Sequence, residues 1–276
     1  MRLSVRSLTS FIALAAFAAS ANHAAPPNLV TGGMGWLLNA QPIDLQATGS
    51  RAKLGEFLFA QPLVPAAEAV PEAGQVGLFP EGFGKKTTVP LDDLRFALTV
   101  GGVDGSTYCA IEGTKSATQR LCLIDLDDDG TFDYQGRAFG LGNGAPFARM
   151  LLAANVVPAI IKYSKKKARE DALMHGGMVI SKKGNSFTAR FAVQENGKPK
   201  ALDLFSPEHR FLQQRRASNE RLTFTPEQLP ATVKLYGATL EIVAIAGNEV
   251  AYRLVSAFDP TEAIVVARAG KLPMPR

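Results

Sequence analysis

Cysteine, tryptophan and histidine are all scarce in this 276-residue chain, with two, one and three copies respectively. Two cysteines are too few for a disulfide-dense miniature scaffold, and they lack the C-x-x-C spacing of a thiol redox motif. The histidines, His23, His175 and His209, fall in no H-E-x-x-H or other zinc spacing, and no G-x-S-x-G elbow occurs. A lone histidine of this kind reads as a solvated or helix-end residue rather than a catalyst. Gly140 to Gly144 is glycine-rich but lacks a following Lys-Ser/Thr, so it reads as a turn and not a phosphate loop. Beyond the N-terminus no apolar run is long enough to span a bilayer, and too few segments alternate over ten residues for an outer-membrane barrel. With 46% hydrophobic and 20% charged residues, the composition is that of a globular protein and excludes wholesale disorder.

The N-terminus has the anatomy of a secretory signal peptide. Arg2 and Arg6 precede the apolar Phe11 to Ala18, and Ala19-Ser20-Ala21 forms a small-residue cleavage site. Residues 1–21 are therefore expected to be removed near Ala21, leaving a periplasmic or secreted protein that does not span the membrane. No cysteine at that site offers a lipid anchor. In an oxidising compartment Cys109 and Cys122 are expected to join in one disulfide.

Residues 22–90 read as an irregular lead-in with one strand, Leu54 to Ala60. A proline- and glycine-rich stretch then runs from Gln61 to Pro90, where missing N–H donors suggest an extended surface segment or linker. Residues 91–276 read as a β-rich domain, the alternative being two subdomains split near 150–205. Its strand patterns are Leu94 to Val100, Ser106 to Glu112, Arg120 to Leu126, Thr131 to Phe139, Ser186 to Gln194, Ala231 to Tyr236, Ala238 to Ala246, Glu249 to Ala257 and Ala263 to Ala269. A hairpin turning over residues 113–119 places Cys109 opposite Cys122. Leu121 and Leu123 then face one way while Cys122, Ile124 and Leu126 face the other, as in a strand covered on both sides. Gly247-Asn248 marks a tight hairpin turn.

Three short helices are expected in the middle: Pro146 to Val157, Ser164 to His175 ended by Gly176-Gly177, and a basic helix from Ser206 to about Ala217. The fold class is thus mainly β, an antiparallel sandwich or barrel-like sheet with a few short helices.

The most chemically pointed segment is Asp125 to Asp133, of the form D-x-D-x-D-G-x-x-D. Alternate residues present carboxylates to one side, and Gly130 permits a sharp bend. The segment resembles the calcium loops of EF-hands and of integrin-type β-propeller repeats. That resemblance implies Asp125, Asp127, Asp129 and Asp133 as ligands, with the Thr131 carbonyl contributing from the backbone and Ca²⁺ as a structural ion. It covers nine residues. The bidentate glutamate of the EF-hand would fall on Gly136, and strands rather than helices flank the loop, which favours a strand–loop–strand site. The other reading is an ordinary Asp-Gly hairpin with solvated aspartates.

Charge is unevenly spread. Residues 22–150 carry 9 basic and 14 acidic side chains, and residues 151–276 carry 19 and 11. Lys165, Lys166, Lys167, Arg210, Arg215 and Arg216 form a candidate polyanion-binding set; the alternative is a solvated surface balanced by the acidic half. Nucleic acid is not an expected partner, since no reading module is present. The function expected is that of an exported cell-envelope protein of structural or binding type, stabilised by calcium and not expected to be an enzyme. A secreted hydrolase with scattered catalytic residues is the alternative, and an envelope polyanion or another envelope protein the expected partner.

Overall fold

The computed structural model describes residues 33–45, 50–72, 75–78, 87–91, 94–100, 105–112, 121–140, 149–151, 157–166, 172–195, 197–202 and 221–266. Twenty strands occur in them. The first ten are Gly33–Ala40 (β1), Arg51–Lys53 (β2), Phe57–Pro65 (β3), Glu68–Pro71 (β4), Gln75–Leu78 (β5), Thr87–Pro90 (β6), Arg95–Val100 (β7), Ser106–Glu112 (β8), Leu121–Asp125 (β9) and Thr131–Gly140 (β10). The rest are Arg149–Leu151 (β11), Val157–Lys166 (β12), Met174–Lys183 (β13), Ser186–Glu195 (β14), Lys198–Ala201 (β15), Arg221–Phe224 (β16), Ala231–Leu235 (β17), Ala238–Ala246 (β18), Glu249–Ser256 (β19) and Ala263–Val266 (β20).

The architecture is mainly β, with a closed antiparallel barrel at its centre. In order around the wall the six staves are β4, β7, β8, β9, β10 and β12, and β12 closes the ring by pairing with both β10 and β4. Aromatic side chains fill the interior: Phe96, Tyr108, Phe132 and Tyr163 pack with Leu121, Leu123 and Ile161. Phe132 and Tyr163 stack at 4.1 Å, and Tyr108 meets Phe132 edge-on at 5.9 Å. Burying each such ring contributes on the order of 1.5–3 kcal/mol, which makes this small interior a main source of the barrel's stability.

The two-sided burial expected of β9 is present. Leu121 and Leu123 enter the barrel, whereas Cys122 and Ile124 join the larger core outside it with Trp36, Leu38 and Phe191. All five residues of β9 are buried. The hairpin register sets Cys109 opposite Cys122 and Ser106 opposite Asp125, and the two cysteines form a disulfide.

Outside the barrel, β1 pairs with β3, β7, β11 and β20, and β3 leads on through β13 and β14 to β15 and β16. A second sheet, in the order β17-β18-β19-β2, turns Val233, Leu240, Ile242 and Val250 toward the same outer core. The phenol of Tyr252 in β19 ties this sheet to the first by donating to the Leu58 carbonyl of β3. The turn at Gly247-Asn248 joins β18 and β19 as the sequence suggested.

The short helices are not borne out. Over the expected helix 146–157 lies β11, and Val157 opens β12. Over 164–175, β12 continues to Lys166 and β13 begins at Met174. The one helical piece among the described residues is a 3-10 turn, Pro226–Gln228. The third expected helix, 206–217, lies outside the described residues.

The lead-in also differs from expectation. Within β1, Trp36, Leu38 and Ala40 are buried core residues. The proline-rich stretch contributes strands, because proline lacks only the N–H and keeps a carbonyl acceptor. Pro62 in β3 uses it, accepting from the Gln41 N–H at 2.8 Å. Residues 1–21, the expected signal peptide, lie outside the described residues.

Candidate metal centre

The acidic loop leaves the barrel between β9 and β10. Asp125 is the last residue of β9 and its carboxylate is fully buried. Because Leu121 and Leu123 face the interior, Asp125 two residues on turns the same way, toward the phenol of Tyr163. Tyr163 donates to Asp125 Oδ2 at 2.7 Å, the Gly130 N–H donates to the same oxygen at 3.0 Å, and the Asp129 N–H reaches Oδ1 at 3.3 Å. An ionised carboxylate has about four acceptor sites, so these three donors leave capacity for one further bond.

The turn itself is shaped by two residues with positive φ, Asp128 at 59° and Gly130 at 91°. Aspartate is among the few residues that enter this region readily, and glycine does so without cost. Asp128 is held there from outside the loop: the Ser106 hydroxyl donates to its Oδ1, and Lys165 Nζ lies 3.6 Å from the same oxygen. Gly105, at φ 82°, packs beneath; a Cβ on it would meet the Asp125 carbonyl oxygen and lie 2.6 Å from Leu126 Cα. The β8 end therefore presses directly on the start of the acidic loop.

Three carboxylates converge. One oxygen from each of Asp125, Asp127 and Asp133 lies within 4.8 Å of the others, Asp125 being buried, Asp127 exposed and Asp133 between. Oxygens sharing one calcium ion lie at most about 5 Å apart, twice a Ca–O bond of about 2.3–2.6 Å, so the three fit a common hard cation. Asp133 is oriented by the Leu126 N–H, which donates to its Oδ2 at 2.8 Å. Asp129 stands apart from this group of three. Its Oδ1 accepts from the Thr131 N–H at 2.7 Å, closing a local turn. Thr131 opens β10 opposite Lys162.

The electrostatics follow from the crowding. The Asp127 carboxyl is held above its usual range, first by partial desolvation and then by the negative charges of Asp129, Asp133 and Asp125, against a lowering bond from the Asp129 N–H. Burial raises the Tyr163 phenol far above its ordinary value, and its bond to Asp125 adds to this, so Tyr163 is a fixed proton donor to the carboxylate. Burial likewise raises Tyr108, against the opposing pull of Lys165.

Tyr163 and Ser106 are the site residues that the sequence pattern did not bring forward. Tyr163 is 38 positions from Asp125 and reaches it because β12 pairs with β10. The alternation Ile161, Lys162, Tyr163, Ser164, buried and exposed in turn, is the signal that could have found it. Of the candidate polyanion-binding residues, Lys165 and Lys166 sit exposed at the end of β12, while Lys167, Arg210, Arg215 and Arg216 lie outside the described residues. His175 is exposed on β13; His23 and His209 lie outside the described residues. No helix among the described residues is long and apolar enough to cross a membrane. Comparison with protein-family models, with curated proteins and with solved structures finds no match in any of the three.

Proposed function

We propose that this chain is an exported cell-envelope protein of structural or binding type whose Asp125–Asp133 loop takes a calcium ion as a stabilising ligand. One observation carries this reading: three carboxylate oxygens, from Asp125, Asp127 and Asp133, are gathered within 4.8 Å at the mouth of a closed barrel. Like charges this close repel unless a cation neutralises them, and a buried Asp125 cannot turn away to relieve the repulsion. The exported location is supported by the signal-peptide pattern of residues 1–21 and by the Cys109–Cys122 disulfide, which suits an oxidising compartment. The role assigned to the metal is mechanical. It joins β9 to β10 where the loop between them would otherwise be forced apart by its own charge. An envelope polyanion or another envelope protein is the partner class proposed.

Thermal melting in chelator and in millimolar calcium tests the reading. At a calcium concentration ten times the Kd, linkage stabilises by about 1.4 kcal/mol. For a chain of this size that is a rise in Tm of several degrees. Identical melting curves with chelator and with calcium would overturn the metal assignment.

A further inference from the structure

We draw no further inference here: the strongest candidate, the exposed apolar side chains Ile160 and Val70 on the outer wall of the barrel at β12 and β4, carries none because nothing in the structure shows what covers them.

Discussion

The phenol of Tyr163 donates a 2.7 Å hydrogen bond to Oδ2 of Asp125, joining two barrel staves that are not neighbours in sequence. One face of the same phenol ring is stacked on Phe132, so the hydroxyl is aimed by packing. Tyr163→Phe keeps the stack and deletes only the donor. A hydrogen bond to a charged group is worth about 1.5–3 kcal/mol, and the variant is expected to lose stability in that range. Urea denaturation of the two proteins measures it. Equal midpoints would mean that the bond contributes nothing to the folded state.

Asp127 allows a test in which the sign of the effect depends on the ion. Its carboxyl is raised by desolvation and by three neighbouring aspartates, so its ionised form is disfavoured on folding. Asp127→Asn is therefore expected to melt at a higher temperature than the parent in chelator, and to lose the parent's rise in calcium. Melting curves of both proteins under both conditions give the comparison. If the variant still gains as much from calcium as the parent does, Asp127 is not a ligand.

Cys109 and Cys122, 13 positions apart in sequence, join directly opposed strand positions, both fully buried. Replacing both by alanine is expected to cost about 3 kcal/mol, the chain-entropy contribution of a loop of this size. Equilibrium unfolding of the double variant under non-reducing conditions checks the value. A loss below about 1 kcal/mol would show that the paired strands hold their register without the bond.

Gly105 is expected to tolerate no side chain. It has φ 82°, and a Cβ would run into the backbone of Asp125 and Leu126. The conformation alone costs a non-glycine residue about 1–3 kcal/mol, and the overlap adds to that. Gly105→Ala should fold less stably and show shifted amide resonances across Leu126 to Gly130. Resonances that stay in place would indicate that the loop is positioned independently of β8.

The acid limb of stability has an identifiable contributor at Asp259. The Thr261 hydroxyl and the Thr261 N–H both donate to its Oδ1, at 2.6 and 2.7 Å, and they lower its pKa. A carboxyl depressed in the folded state stabilises fully above its unfolded value, near 4, and loses that contribution as pH falls through the folded value. Thr261→Ala is expected to move the Asp259 titration midpoint upward, as followed by carboxyl carbon chemical shifts. An unchanged midpoint would remove the hydroxyl as a cause.

Much of the fold was legible where apolar and polar residues alternate. Ser106–Glu112 and Ala238–Ala246 have the bounds the pattern suggested, and the opposition of Cys109 and Cys122 followed from the hairpin. The failures share a physical origin, since each involves a residue whose usual meaning is overridden by a long-range neighbour. Gly176-Gly177 looked like a helix stop, but both lie in β13, where a Cβ on Gly177 would approach the Phe57 ring to 2.8 Å and the Phe59 carbonyl carbon to 3.0 Å. Ser164 to His175 looked like a helix, yet Lys165 and Lys166 end a strand paired with Ala69 and Glu68. At the acidic loop, the sequence pattern pointed to the aspartates that converge. It did not separate Asp129, turned back on Thr131, from the three that do so, because that distinction lies in which backbone N–H each carboxylate accepts from.

The pairing of β1 with β20 brings residues 36–39 beside residues 263–266, across more than two hundred intervening positions. Trp36 and Leu38 thus receive part of their cover from a strand made long after them. Pairing of strands so far apart in sequence is slow, since the entropy of a very long loop is lost before its contacts form. The sheet around β1 must therefore remain incomplete until residues 263–266 have been made. For the exported chain proposed above that order is an advantage, because the outer core around Trp36 and Leu38 cannot set before β20 arrives.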